Sequence, residues 1–110
     1  MSKIRGKVAI VGIGEHPTGR YPEKSAITFG LESARQAIAD AGLTMNDIDC
    51  VIPTGAVFSF QFSNELATCR LVEELGMRNV KKNFQLFSGG SSSSNALQVA
   101  AALIAAGVVN

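Results

Sequence analysis

The residues best placed to do chemistry are Ser88-Gly89-Gly90-Ser91-Ser92-Ser93-Ser94-Asn95-Ala96-Leu97. A short apolar segment feeds this turn, and an alanine-rich run continues from it to Ala106. A helix that starts here aims backbone N–H groups and the positive end of its dipole at whatever stands in front. The small residues let a ligand, or another copy of the same helix, approach the backbone. A strand–turn–helix junction is also a common seat for a nucleophile, yet no Cys, His or acid occupies this one. Ser91 to Ser94 have no base nearby in sequence, and a helix-start serine usually caps. That leaves backbone groups, not side chains, to meet a ligand at this turn. The plainer alternative is that Gly89 and Gly90 only permit a tight turn and close packing.

The other reactive side chains are few. Cys50 stands in a short apolar segment and Cys69 on the apolar face of a helical pattern. Their spacing matches no metal site, so both read as buried free thiols of a reduced compartment. His16, the single histidine, lies beside Pro17 in a loop and reads as structural or solvated. Lys81-Lys82 with Arg78 is the only basic cluster, and the net charge is +1. Neither favours nucleic acid or an anionic membrane as a partner. Gly12-Ile13-Gly14 invites a dinucleotide-binding reading, which needs a third glycine opening a helix directly. That position is Pro17, and Pro53-Thr54-Gly55 supplies no ribose-binding acid. A nucleotide-binding module therefore stays a minor alternative, with the two glycines serving a tight exit from a strand.

The elements that must position these residues follow from periodicity. Val8 to Gly14 is a continuous apolar run that suits a strand buried on both faces. Glu15 to Lys24, with Pro17, Gly19 and Pro22, is a loop. Ile27, Leu31, Ala34, Ile38 and Ala41 form one stripe and predict a helix over Ser25 to Ala41, with Ser25 as its cap and Gly42 as its stop. Gly30 weakens that helix or marks a close contact. Thr44 to Asp49 is a polar turn, and Cys50-Val51-Ile52 a second strand. Val57 to Phe62 reads equally as a strand or as a loop presenting aromatics. Ser63 to Leu75 is the second helix, Asn83 to Phe87 the third strand, and Ser91 to Ala106 the third helix. The last is apolar around most of its circumference and should be covered on several sides. Val108-Val109-Asn110 opens a fourth strand.

The order β-α-β-α-β-α-β predicts an α/β fold with a parallel or mixed sheet. At 110 residues the chain allows one small domain at most. These elements are too few to cover the third helix, so the expectation is a fragment of a longer protein or a chain that needs a partner. Val8 to Ile13 is too short to span a membrane and lacks a signal-peptide cleavage pattern, so the expected compartment is cytoplasmic.

Four stretches together resemble the start of the thiolase superfamily, in its sterol-carrier or lipid-transfer-type branch. They are Lys7-Val8-Ala9-Ile10-Val11-Gly12-Ile13-Gly14-Glu15, Gly19-Arg20-Tyr21-Pro22-Glu23-Lys24-Ser25, Ala39-Asp40-Ala41-Gly42-Leu43 with Asp47-Ile48-Asp49, and Gly89-Gly90-Ser91-Ser92 through Ala96-Leu97. The resemblance covers nearly all of the chain but only the first part of the family's fold. It implies that residues 1–110 are the N-terminal portion of one layered β-α-β-α-β-α-β repeat. It implies action on carbon–carbon bonds of acyl-CoA, with the coenzyme A thioester as substrate and no cofactor or metal. It implies a homodimer or a thiolase-like heteromer. Thiolases carry a nucleophilic cysteine at the start of the central helix, where a thiol is activated. By this resemblance that catalytic position falls on Gly90, which keeps only a backbone N–H. Gly89, Gly90 and Ser91 would bind substrate. Relatives without the cysteine include retro-aldolase-type enzymes, so the resemblance favours aldol cleavage or condensation over thiolytic acyl transfer. The competing expectation is a non-catalytic subunit that completes an active thiolase-like partner.

Overall fold

A computed structural model describes residues 4–54 and 64–110. Among them, the first helix, α1, spans Ala26–Asp40 and is followed by a single 3-10 turn at Met45–Asp47. Strand β1 is Cys50–Val51, helix α2 is Asn64–Glu74, strand β2 is Lys82–Asn83, and helix α3 is Ser92–Ala105. The expected strand-or-loop segment Val57 to Phe62 lies outside the described residues.

β1 and β2 pair in parallel, Cys50 opposite Lys82 and Val51 opposite Asn83. The same register continues to an isolated bridge between Thr54 and Leu86. Amide donation from Phe84 to the Val51 carbonyl and from Leu86 to the Pro53 carbonyl carries the ladder between them. Pro53 has no N–H, which explains why the regular pairing stops early. Phe87, expected inside the third strand, lies beyond the last bridge and is exposed.

The core sits between the two helices and the sheet. Leu31 of α1 packs with Leu75 and Met77, bordered by Ile27, Ala34, Ile38, Val51, Leu71, Val72 and Val80. Burying a side chain such as Leu31 contributes about 1.5–3 kcal/mol. The predicted α1 stripe is thus the face that α1 turns to α2. Gly30 makes no tight contact there, since a Cβ would only touch Leu71 Cδ2 at 3.8 Å. Ser25 stands at the N-cap but bonds the Thr28 hydroxyl at 3.1 Å instead of a backbone N–H, which corrects its predicted capping role. The C-terminal stop is as expected. Gly42 takes φ +71°, Gly42 N–H donates to Ala39 and Leu43 N–H to Ile38, a Schellman motif. α2 and α3 end with the same bond pair at Gly76 and Gly107.

After α1, Asp47 accepts from the Thr44 N–H at 2.8 Å and from the Thr44 hydroxyl at 3.0 Å. These bonds, the backbone one first, hold the Asp47 carboxyl below its ordinary range.

One expectation that fails among the described residues is the first strand. Val8 to Gly14 is not in a ladder; it runs along α1, with Ile10 73% and Ile13 75% exposed. Side chains of the helix hold the Ile13 N–H, by Asp40 at 3.0 Å, and that of Glu15 just after the segment, by Gln36 at 3.2 Å. Gly12 and Gly14 make this possible, because a Cβ on Gly12 would lie 2.9 Å from Ala41 Cβ and one on Gly14 2.7 Å from Ala37 N. They serve close packing on a helix, not a tight exit from a strand. α3, whose apolar surface these elements were expected to be too few to cover, has Ser92 as its only buried residue, and Leu97 is 58% exposed. Of the residues after α3, Val109 is buried and Asn110 N–H donates to Asp49 at 2.8 Å, without forming a strand.

Candidate functional site

The turn Ser88 to Ser91 joins the end of the parallel ladder to α3. Ser92 N–H donates to the Gly89 carbonyl at 3.2 Å, closing a tight reversal with Gly89 at φ +64°. That φ is the left-handed region, so Gly89 is required by the backbone. Gly90 is not. Its φ is not in that region, and a Cβ built on it meets nothing within 4 Å. The position that the resemblance assigns to a nucleophile is therefore open, directly in front of a helix start, and could carry a side chain without strain.

Ser91 is the N-cap residue, but its side chain makes no capping bond to the helix. It donates back to the Ser88 carbonyl at 2.9 Å. The organising residue is Ser92, 4% exposed, which donates to the Gly89 carbonyl at 2.7 Å and accepts from the Ser88 N–H at 2.9 Å. Asn95 donates to the Ser88 hydroxyl at 2.8 Å. Sequence reasoning named Gly89, Gly90 and Ser91 and missed Ser88, Ser92 and Asn95. The missed signal was spacing: Ser88, Ser91, Ser92 and Asn95 stand at i, i+3, i+4 and i+7, one face of a helix.

Among the described residues these serines hydrogen-bond to one another, to Asn95 and to backbone, and to no acid or histidine. His16 makes its contacts elsewhere, with Pro17, Lys24 and Glu32. A serine nucleophile has no base here. Cys50 is half-buried in β1, where burial and then the neighbouring Asp49 carboxylate push its thiol up, away from the reactive thiolate. Cys69 was expected on a buried face, but α2 turns it to the exterior. Neither stands at the turn. Among the described residues no group of three or more His, Cys, Asp or Glu could hold a metal ion. No helix among them is long and apolar enough to cross a membrane.

No family model matches the chain. Individual relatives do. The chain is 30% identical, over 98% of its length, to a steroid side-chain-cleaving aldolase of Thermomonospora curvata. It is 28% identical, over 97%, to a 17-hydroxy-3-oxo-4-pregnene-20-carboxyl-CoA lyase of Mycobacterium tuberculosis. It is 39% identical, over 78%, to a mycobacterial beta-ketoacyl-acyl-carrier-protein synthase III of Mycobacterium ulcerans. Its fold matches a solved Ltp2-ChsH2(DUF35) aldolase with a TM-score of 0.73 at 28% identity, over 92% of this chain and 25% of that one. The chain spans about a quarter of the length of the curated relatives it matches. These likenesses support a thiolase-related relationship.

Proposed function

We propose that residues 1–110 form the N-terminal part of a thiolase-like protein of the sterol-carrier or lipid-transfer type. The whole protein then acts on a carbon–carbon bond of an acyl-CoA by aldol cleavage or condensation. The observation that carries this reading is Gly90. By the resemblance it takes the position of a thiolase's nucleophile; it lies just before the N-cap of α3, and the space beside it is open. Without a nucleophile the turn offers backbone N–H groups and a helix dipole, which stabilise oxygen charge and form no bond. Aldol chemistry fits that equipment. A β-hydroxyacyl thioester loses its hydroxyl proton, the Cα–Cβ bond breaks, and the electron pair moves to the thioester as an enolate. A proton then returns to the α-carbon of the enolate, and the products are a carbonyl compound and a shortened acyl-CoA. The first two relatives, named as an aldolase and a lyase, support the same direction.

The test is incubation of the whole protein with β-hydroxyacyl-CoA thioesters. The expected result is a shortened acyl-CoA with no acyl group left on the protein. A stable acyl adduct on the segment around Gly90 would contradict it. A second reading, a non-catalytic partner subunit in a thiolase-like heteromer, draws on the same empty position. It predicts no turnover by the protein alone and copurification with an intact thiolase-like chain.

A further inference from the structure

His16 has four side chains and one carbonyl converging on its ring, which is 11% exposed. Nδ1 lies 2.9 Å from the Pro17 carbonyl oxygen. Nε2 lies 3.0 Å from Lys24 Nζ and 3.0 Å from Glu32 Oε2. Lys24 Nζ is itself 3.2 Å from each Glu32 oxygen. Tyr21 and Phe29 meet the imidazole edge-on, with centroids 4.6 and 4.8 Å away, and Lys24 Nζ is 5.2 Å from the Tyr21 ring centre. The titratable groups facing the ring are thus Tyr21 and Lys24 from the loop and Glu32 from α1.

The proton positions follow from donor and acceptor capacity. A carbonyl oxygen only accepts, so Nδ1 carries a hydrogen. An ammonium only donates, so a neutral ring must offer Lys24 its Nε2 lone pair. Adding a proton at Nε2 removes that lone pair. The ring then repels Lys24 and donates to Glu32 in a charge-assisted bond. Two cations would then compete for one carboxylate.

We propose that His16 is a proton-operated clasp on the loop of residues 15–24. Neutral, it accepts from Lys24 and holds the loop's end against Glu32 of α1. Protonated, it takes Glu32 for itself and releases Lys24. The loop joins the Gly12–Gly14 segment to α1, so the clasp sets how firmly that connection lies on the helix.

The test uses the whole protein labelled with nitrogen-15 in histidine, with the His16 signals assigned by their loss in His16→Gln. The neutral ring should show Nδ1 as the protonated nitrogen. In Lys24→Met both ring nitrogens face acceptors, Nδ1 the Pro17 carbonyl and Nε2 Glu32, so the ring should take its second proton at higher pH than in the unaltered protein. In Glu32→Gln it should keep its hydrogen on Nδ1. The Lys24 amide, bonded to the Tyr21 carbonyl at 3.1 Å, should lose protection several-fold as His16 is protonated, after correction for intrinsic exchange, and should not do so in His16→Gln. An Nε2-protonated neutral ring in the unaltered protein would overturn the proposal. So would second protonation in Lys24→Met at a pH no higher than in the unaltered protein, or Lys24 protection that ignores the state of His16.

Discussion

Gly12 and Gly14 near the start of the chain, and Gly89 and Gly90 before α3, look alike in sequence: each pair follows an apolar run. In the structure they answer to different constraints. The first pair is held by space, because helix backbone and side-chain atoms of α1 occupy the volume a Cβ would need. Gly89 is held by torsion, with φ +64° and nothing crowding it. Gly90 is held by neither. Neither packing nor torsion accounts for glycine at position 90, which is where the proposed function places its weight.

The comparison is broken most forcefully at Gly12. Gly12→Ala must push the segment off α1, displacing the Ile13 bond to Asp40. We expect a loss of about 1–3 kcal/mol, as for overpacking generally, read by denaturant unfolding. Retention of wild-type stability would mean that the segment is not seated on the helix. Gly89→Ala should cost less, about 1–2 kcal/mol for a left-handed alanine. Gly30→Ala supplies the opposite sign. It lies inside α1 with room for a methyl group against Leu71, so it should stabilise by about 0.4–1 kcal/mol, read as a raised Tm. A loss there would show that α1 and α2 approach more closely at Gly30.

How far these distinctions could be read in the sequence depended on how local their causes are. The helices were legible because their stripes and stops are local: Leu31 and Ile38 face the core, and Gly42 ends α1 as a left-handed cap should. The segment Val8 to Gly14 was misread as a sheet strand because a β-branched run calls for burial without saying against what. Amides in it and just after it are paired by Asp40 and Gln36, more than twenty residues away in sequence. α3 was legible in this respect: its apolar circumference asked for more cover than these elements supply, and the described elements leave it exposed. At the site, the turn and its glycines were legible. The role of Ser92 was not, because neighbouring serines are equal in composition and only three-dimensional position selects the buried one. The His16 cluster was invisible for a similar reason: Lys24 and Glu32 become its partners only when the loop folds back on α1.

The smallest expected effect on stability is the most informative about function. Gly90→Cys adds a side chain where the structure has room and the backbone has no need of glycine. Stability should change by no more than about 0.5 kcal/mol, as at an unconstrained surface position. The new thiol would stand at the start of α3, where the dipole and the first N–H groups favour a thiolate. Its alkylation should therefore proceed at lower pH than that of Cys69, which is exposed within α2 and serves as the internal reference. Equal reactivity of the two thiols would mean that the turn does not stabilise negative charge, and the backbone-binding role of Gly89, Gly90 and Ser91 would fall with it. A faster thiol that also acquires an acyl group from acyl-CoA would show that the turn keeps the electrostatics of a nucleophile's seat. The difference between Gly90 and a thiolase cysteine would then come down to one missing CH2SH side chain.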